Sequence, residues 1–154
     1  MIKSALDTKP DSVIDADIVI IGLGAGGSMA FSELAEAGFD VVGLELGAYI
    51  KPEEMVKREE IMMPKLFLDG AARATNDMSI RILQGKGVGG STLHNTNLCK
   101  RLNPETLTYW AKKFGLENLL DQSLQDDFKA VETLLNVHSV PDEQVNKNLS
   151  LIHI

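Results

Sequence analysis

Apolar residues along the chain follow two periodicities. Asp17-Ile18-Val19-Ile20-Ile21 is a continuous β-branched run, the pattern of a strand covered on both faces and central in a parallel sheet. Gly22 ends the run, and from Gly26 to Ala37 the spacing turns helical, with Ala30, Leu34 and Ala37 on one side and Ser32, Glu33 and Glu36 mostly elsewhere. Gly38 stands where a helix takes its left-handed C′ residue. Val41-Val42-Gly43-Leu44 then reads as a second strand. Strand, helix and strand in such a short span form a βαβ unit with parallel strands.

Beyond Gly47 the periodicity weakens. Pro52-Glu53-Glu54 predicts a helix start, Pro at its first position and acids at the positive dipole end, running towards Met63 and stopping at Pro64. The Gly, Asn, Asp and Thr content from Leu68 to Asp77 predicts a loop. Met78, Ile80 and Ile82 alternate with Ser79 and Arg81 as in a strand, and a glycine-rich stretch, Gly85 to Gly90, follows.

The last third is helical in pattern. Asn103-Pro104-Glu105 offers an N-cap with Pro at N1, and Leu107, Trp110, Ala111 and Phe114 form an apolar stripe ending at Gly115. A further helix is predicted after Ser123, which with Asp126 resembles a capping box, carrying Leu124, Phe128, Val131 and Leu135 on one face. The chain thus divides into a polar lead-in over 1–16, a folded domain over 17–140, and an irregular, truncated tail over 141–154.

Composition narrows the function classes. The 154 residues are 44% hydrophobic and 24% charged, an ordinary globular mixture, yet few for a cofactor enzyme with a separate substrate domain; a fragment is expected. A net charge of −7 with no basic stripe excludes a nucleic-acid partner, which requires clustered Lys and Arg. Cys99 is the only cysteine, so no intrachain disulfide forms and a reducing compartment is expected. The first dozen residues carry no apolar leader core, and no apolar run is long enough to span a bilayer. A cytoplasmic location is therefore the default expectation. No Cys/His cluster has metal-ligand spacing, and no metal is predicted.

Chemistry concentrates in two glycine clusters. The first, Gly22-Leu23-Gly24-Ala25-Gly26-Gly27, is a G-x-G-x-x-G directly after a predicted strand and opening a predicted helix. In that context Gly22 permits the tight turn, Gly24 lets backbone approach a pyrophosphate, and Gly27 lets helix and strand pack closely. The helix N-terminus, through residues such as Ala25 and Gly26, offers unpaired N–H groups to the anion. Glu45 ends the second strand eighteen positions beyond Gly27, where a carboxylate can accept from the adenosine ribose hydroxyls and disfavours an NADP phosphate. Together these predict an α/β fold of the Rossmann-like FAD/NAD(P)-binding type, with a parallel sheet left incomplete. The motif alone does not separate FAD from NAD.

The second cluster, Gly85-Lys86-Gly87-Val88-Gly89-Gly90-Ser91-Thr92-Leu93-His94-Asn95, also follows a predicted strand. Glycine-rich backbone forms anion-binding concavities, and Ser91 and Thr92 add hydroxyls. Read from the residues alone, a second phosphate or flavin contact and a flexible turn with a polar rim stand level.

The pair of clusters resembles the glucose-methanol-choline (GMC) oxidoreductase family, whose first signature reads roughly G-R-x-L-G-G-S-S-x-x-N. Lys86 takes the basic position and Val88 the aliphatic one, while Gly89, Gly90, Ser91, Thr92 and Asn95 match directly. Arg101, and Trp110 with Gly115, resemble the family's following arginine and its W-x-x-x-G-type stretch. The likeness runs from about Asp17 to Val137. His94 and Cys99 depart from it, where an aliphatic residue and an aromatic or small one are usual, and bear on the substrate subclass. The resemblance implies FAD as cofactor, gripped by Gly22, Gly24, Ala25, Gly26, Gly27, Glu45, Gly85, Gly89, Gly90, Ser91, Thr92 and Asn95, with Ser91 at phosphate and Asn95 near the isoalloxazine. It further implies a parent enzyme that oxidises the CH–OH group of an alcohol, polyol, sugar or sterol-like substrate by hydride transfer to flavin N5, leaving the electron acceptor open.

The same resemblance places the catalytic His near the carboxyl end of a full-length chain. No catalytic residue is therefore assigned here: His94 is expected to be a polar contact beside the cofactor, and this chain alone to be inactive. Two rivals remain, a dinucleotide-binding module without activity and an NAD-dependent dehydrogenase, the latter with no use for the second glycine loop. Cys99 and the spread methionines Met29, Met55, Met62, Met63 and Met78 are expected to fill core.

Overall fold

The computed structural model describes residues 1–9, 11–95 and 97–145, in two compact units, Met1–Thr96 and Asn97–Ile154. In the first, β1 (Ile18–Ile21) pairs parallel with β2 (Val41–Leu44) in the register Ile18 to Val41 through Ile21 to Leu44. Helix α1 (Ala25–Glu36) connects them. Its close is as predicted: Ala37 caps it, and Gly38, at φ +95°, turns the chain towards β2. The expected βαβ unit is thus present as a parallel pair.

One expectation about β1 fails. The strand is not central, because β2 is its only partner among the described residues. Nor is it covered on both faces: Ile18 and Ile20 are half-buried, whereas Val19 is 53% and Ile21 85% exposed. The run is apolar on both sides, but α1 covers only the side that carries Ile20.

Between β2 and the second glycine loop the predicted elements shift. Pro52–Glu54 forms only a 3-10 turn, since the Glu54 carboxylate accepts the Lys51 N–H at 2.9 Å and Met55 is already extended. Helix α2 (Glu59–Leu66) starts later and runs through Pro64 rather than stopping there, closed by Phe67 N–H donating to the Met63 carbonyl at 3.0 Å. Met62 and Leu66 on α2 pack with Ile50 as the core of this unit, flanked by Ile61, Phe67 and Leu93.

The predicted strand over 78–82 is absent; only isolated antiparallel bridges form, Ala74 with Arg81 and Phe67 with Gly85. The reason is local. Asp77 Oδ1 accepts from the Thr75 hydroxyl, the Ser79 N–H and the Ser79 hydroxyl, which closes a tight turn in competition with extended pairing. Met78 is thereby placed at φ +59° and left 77% exposed. Of the methionines expected in the core, Met62 is buried and Met63 half-buried, while Met29, Met55 and Met78 are exposed.

In the second unit, helix α3 (Pro104–Phe114) matches its prediction at both ends. Asn103 accepts the Glu105 N–H at 2.9 Å, and Gly115 closes the helix in the left-handed region at φ +67°. Leu107 and Ala111 are buried at 4% and 3%, whereas Trp110 and Phe114 from the same predicted stripe are exposed. Helix α4 (Gln122–Leu134) begins one residue before the predicted cap, and no Ser123 capping box forms. Asp126 instead accepts from the Gln122 side chain at 3.0 Å. Its half-buried face keeps Leu124 and Phe128 of the predicted stripe but adds Gln125 and Glu132 and leaves Val131 and Leu135 exposed; Glu132 is held there by Arg101 through paired contacts of 2.7 and 2.6 Å. Cys99, expected to be buried, lies exposed in the coil before α3. Of the expected irregular tail, Asp142–Gln144 forms a 3-10 turn, and positions 146–154 lie outside the described residues. No helix among those described is long and apolar enough to cross a membrane.

Candidate functional site

The site grows from the end of β1. Gly22 donates its N–H to Leu44 O at 2.7 Å, and then turns the chain at φ +89°, a conformation in which a side chain is strained. Gly27 is glycine for a different reason, which is space: a Cβ there would lie 1.9 Å from the Gly22 carbonyl oxygen. Helix α1 therefore sits hard against the turn that feeds it. The N–H groups of Ala25, Gly26 and Gly27, in its first turn, have no acceptor within the helix. Ala25 and Gly26 are exposed, and a Cβ on Gly26 would meet nothing within 4 Å, so their flank of the helix start is open, at the positive end of the helix dipole.

The second loop folds directly onto the first. Gly89 N–H donates to Leu23 O at 2.6 Å, and a Cβ on Gly90 would lie 2.8 Å from Gly24 Cα. Gly90 itself stands at φ +54°. The loops touch glycine to glycine, and it is position 90 that no larger residue could take, since a Cβ on Gly24 would meet Gly90 Cα only at 4.0 Å. Ser91 Oγ accepts the Gly85 N–H at 2.9 Å and so closes the loop on itself while keeping its own proton free to donate. Thr92 differs, since its hydroxyl donates to Gly89 O at 2.6 Å. Asn95 Nδ2 donates to Thr92 O at 2.9 Å. Ser91, Thr92 and Asn95 are all exposed.

Glu45, at the end of β2, reaches both loops. Its Oε2 accepts the Leu23 N–H at 2.8 Å, and its Oε1 accepts from Gly47 at 2.8 Å and from Gly87 at 3.1 Å. Partial burial works to raise its pKa, but N–H donors from Gly47, Leu23, Gly87 and Leu46 outweigh that and hold the carboxyl below its ordinary 4.5. The carboxylate is therefore the charged form in the fold.

His94 follows the second loop, its ring stacked on Phe67 with centroids 3.8 Å apart. Its Nε2 is buried with no hydrogen-bond partner among the described residues, and desolvation pushes its pKa below 6.5. Sequence reasoning brought the glycines, Glu45, Ser91, Thr92 and Asn95 to notice; it missed Leu23 and Gly47, whose backbone groups tie the loops together and carry no side-chain signal. No group of His, Cys, Asp and Glu that could hold a metal ion occurs among the described residues.

These features fit an extended anionic ligand with a pyrophosphate: free N–H groups at a helix start, a second glycine loop seated against them and a free hydroxyl proton on Ser91. A cavity of about 570 Å³ beside Gly47 is separate from them, lined by Lys65 and Lys86 but also by Glu54 and Asp69 and by none of the residues 22–27 or 89–95.

Comparison with known proteins agrees. A family model described as GMC oxidoreductase matches residues 63–153, which include the whole second loop. The chain is 35% identical over 112 residues to long-chain-alcohol oxidase FAO3 of Arabidopsis thaliana, covering 72% of this chain and 15% of that protein. It is 33% identical over 149 residues to an uncharacterized GMC-type oxidoreductase of Mycobacterium tuberculosis, covering 96% and 24%, so that likeness extends over the first loop as well. To cholesterol oxidase of the same species it is 38% identical over 88 residues, covering 54% and 15%. The chain thus spans about a quarter or less of the length of these relatives. No solved structure matches it.

Proposed function

The chain belongs to the GMC oxidoreductase family, and from that premise we propose that it is the Rossmann-like, FAD-binding portion of an enzyme that oxidises the CH–OH group of an alcohol. The observation that carries the reading is the seating of the second glycine loop on the first, through Gly89 to Leu23 and Gly90 against Gly24. One βαβ unit serves any dinucleotide, whereas a second loop closed over the same phosphate site is superfluous for NAD.

In this reading the first turn of α1 supplies the N–H groups of Ala25, Gly26 and Gly27 to the pyrophosphate. Ser91 donates its free proton to a phosphate oxygen, and Asn95 lies at the flavin end of the loop. Glu45 keeps one acceptor position on Oε2 for a ribose hydroxyl. Bound there, FAD would supply the two-electron acceptor for hydride from the alcohol carbon, the hydroxyl proton passing to a base of the whole enzyme. The names of the relatives, a long-chain-alcohol oxidase and a cholesterol oxidase, support an apolar alcohol as substrate for the whole enzyme.

The test is retention. Purified protein is mixed with FAD or with NAD, desalted, and read by absorbance and flavin fluorescence, with ADP as competitor. Flavin should stay with the protein and be displaced by ADP. Retention of NAD alone overturns the proposal.

A further inference from the structure

We propose that Glu45 is a positioning residue that clasps the two glycine loops together before any cofactor arrives, so that the cradle is preformed by a carboxylate rather than assembled by the ligand. This inference builds on the reading above, but it concerns the cofactor-free protein.

A carboxylate has two oxygens and about four lone-pair positions. Three are taken by backbone hydrogen bonds, Gly47 and Gly87 on Oε1 and Leu23 on Oε2, and the Leu46 N–H adds the smallest of the backbone contributions to holding the charge. The donors come from three places in the chain, the turn after β1, the turn after β2 and the second loop, the last being 42 positions from Glu45. An acceptor devoted to a ribose would have its oxygens free until the ligand came. Here the larger share of the capacity is spent on the protein, and what remains fits one hydroxyl, not two.

The contact around Gly47 shows why a side chain must do this. A Cβ on Gly47 would lie 2.2 Å from Gly87 N and 2.6 Å from Gly87 Cα, so two backbone segments are pressed together with their N–H groups converging. Converging donors repel unless an anion sits between them, and Glu45 Oε1 is that anion. No charged side chain pairs with Glu45 among the described residues. Its negative charge is matched by backbone dipoles alone, so the bonds depend on its staying ionised.

Glu45→Gln separates this role from simple ribose binding. The amide keeps one oxygen and replaces the other with a donor, so it can satisfy Gly47 and Gly87 or Leu23, but not all three. In the cofactor-free protein, amide hydrogen exchange at Leu23 and over 85–93 should quicken by about tenfold to a hundredfold, the range expected for losing a bond to a charged acceptor. Glu45→Asp keeps the charge and shortens the reach; faster exchange at Gly87 in this variant too shows that the reach of the side chain is required in addition to its charge. The wild-type protein gives a check that needs no variant: on acidification the ¹H–¹⁵N signals of Leu23, Gly47 and Gly87 should move together, with one midpoint below 4.5.

Unchanged exchange in Glu45→Gln, or three amides that titrate apart, overturns the clasp. Neither outcome bears on whether FAD binds, which the retention experiment measures separately.

Discussion

The contrast between Gly26 and Gly27 predicts stability changes of opposite sign from the same chemical edit. In Gly27→Ala the new methyl carbon starts 1.9 Å from the Gly22 oxygen and 3.1 Å from its carbon, with Ile20 Cγ2 at 3.6 Å. The obstacle is backbone, and it cannot swing aside, because Gly22 is itself bonded to Leu44 at 2.7 Å. Relief requires the start of α1 to lift from the end of β1 by more than about 1 Å in a packed interior. Overpacking of this kind costs roughly 1–3 kcal/mol, and a backbone-on-backbone clash belongs at the upper end. Against it stands a gain of about 1 kcal/mol from replacing helical glycine by alanine. The net is a loss of about 2 kcal/mol, or on the order of 10 °C in Tm for a unit of this size. Gly26→Ala meets nothing within 4 Å and keeps only the gain, about 0.5–1 kcal/mol. Urea denaturation followed by far-ultraviolet circular dichroism measures both, the slope checking that the denatured state is unaltered. If Gly27→Ala proves as stable as Gly26→Ala, the close packing of α1 on the turn after β1 is not what makes position 27 a glycine.

Other consequences follow from single groups. Asn103→Ala removes the acceptor for the Glu105 N–H and should cost about 1 kcal/mol, read as a lower Tm and faster amide exchange in the first turn of α3, with Asn103→Asp restoring both. His94 has a folded pKa pushed below 6.5 by desolvation, so the neutral ring is the form that the fold accepts. Stability should be complete above 6.5 and decline as pH falls through the folded value, because the unfolded chain takes up the proton first. His94→Gln should remove that slope from denaturation midpoints, and a slope that survives the substitution would assign it to another group. Glu45 contributes in a separate, lower window, since its depressed pKa makes it destabilising to protonate only below 4.5.

What could be read from the chain, and what could not, divides by the range of the interaction. The ends of α3 were legible because Asn103, Pro104 and Gly115 act within a turn of their own position. The same holds for β1, α1 and β2, where each element carries its own periodicity. Failures arose where a neighbouring side chain offered the backbone a competing bond: Asp77 drawing Thr75 and Ser79 into a turn over an expected strand, Glu54 folding back on Lys51 where a helix was expected to start. Burial was the least legible property. Val19 and Ile21 have the composition of core residues, but burial is decided by what lies opposite, and no described element covers their side of the sheet.

The glycine clusters show the same division inside one site. Gly22 announces itself locally, because a strand-to-helix turn at φ +89° has few alternatives. Gly90 does so only in part: beyond its own φ of +54°, it must be glycine because of Gly24 Cα, 2.8 Å from where a Cβ would stand, and nothing in the spacing of 85–95 reveals that neighbour. This is why the residues alone left the second cluster level between a binding loop and a flexible turn, and why family resemblance was needed to decide. Glu45 lies between the two cases. A carboxylate at the end of a second strand is a recognisable ribose acceptor by position, and its partnership with Gly87 becomes visible only when the loops are seen to meet. A residue can thus be found by the right motif and credited with only part of its work. Where glycines from distant segments must touch, an ionised side chain that gathers their N–H groups is the economical way to hold them, and that requirement is set by the fold before any ligand enters.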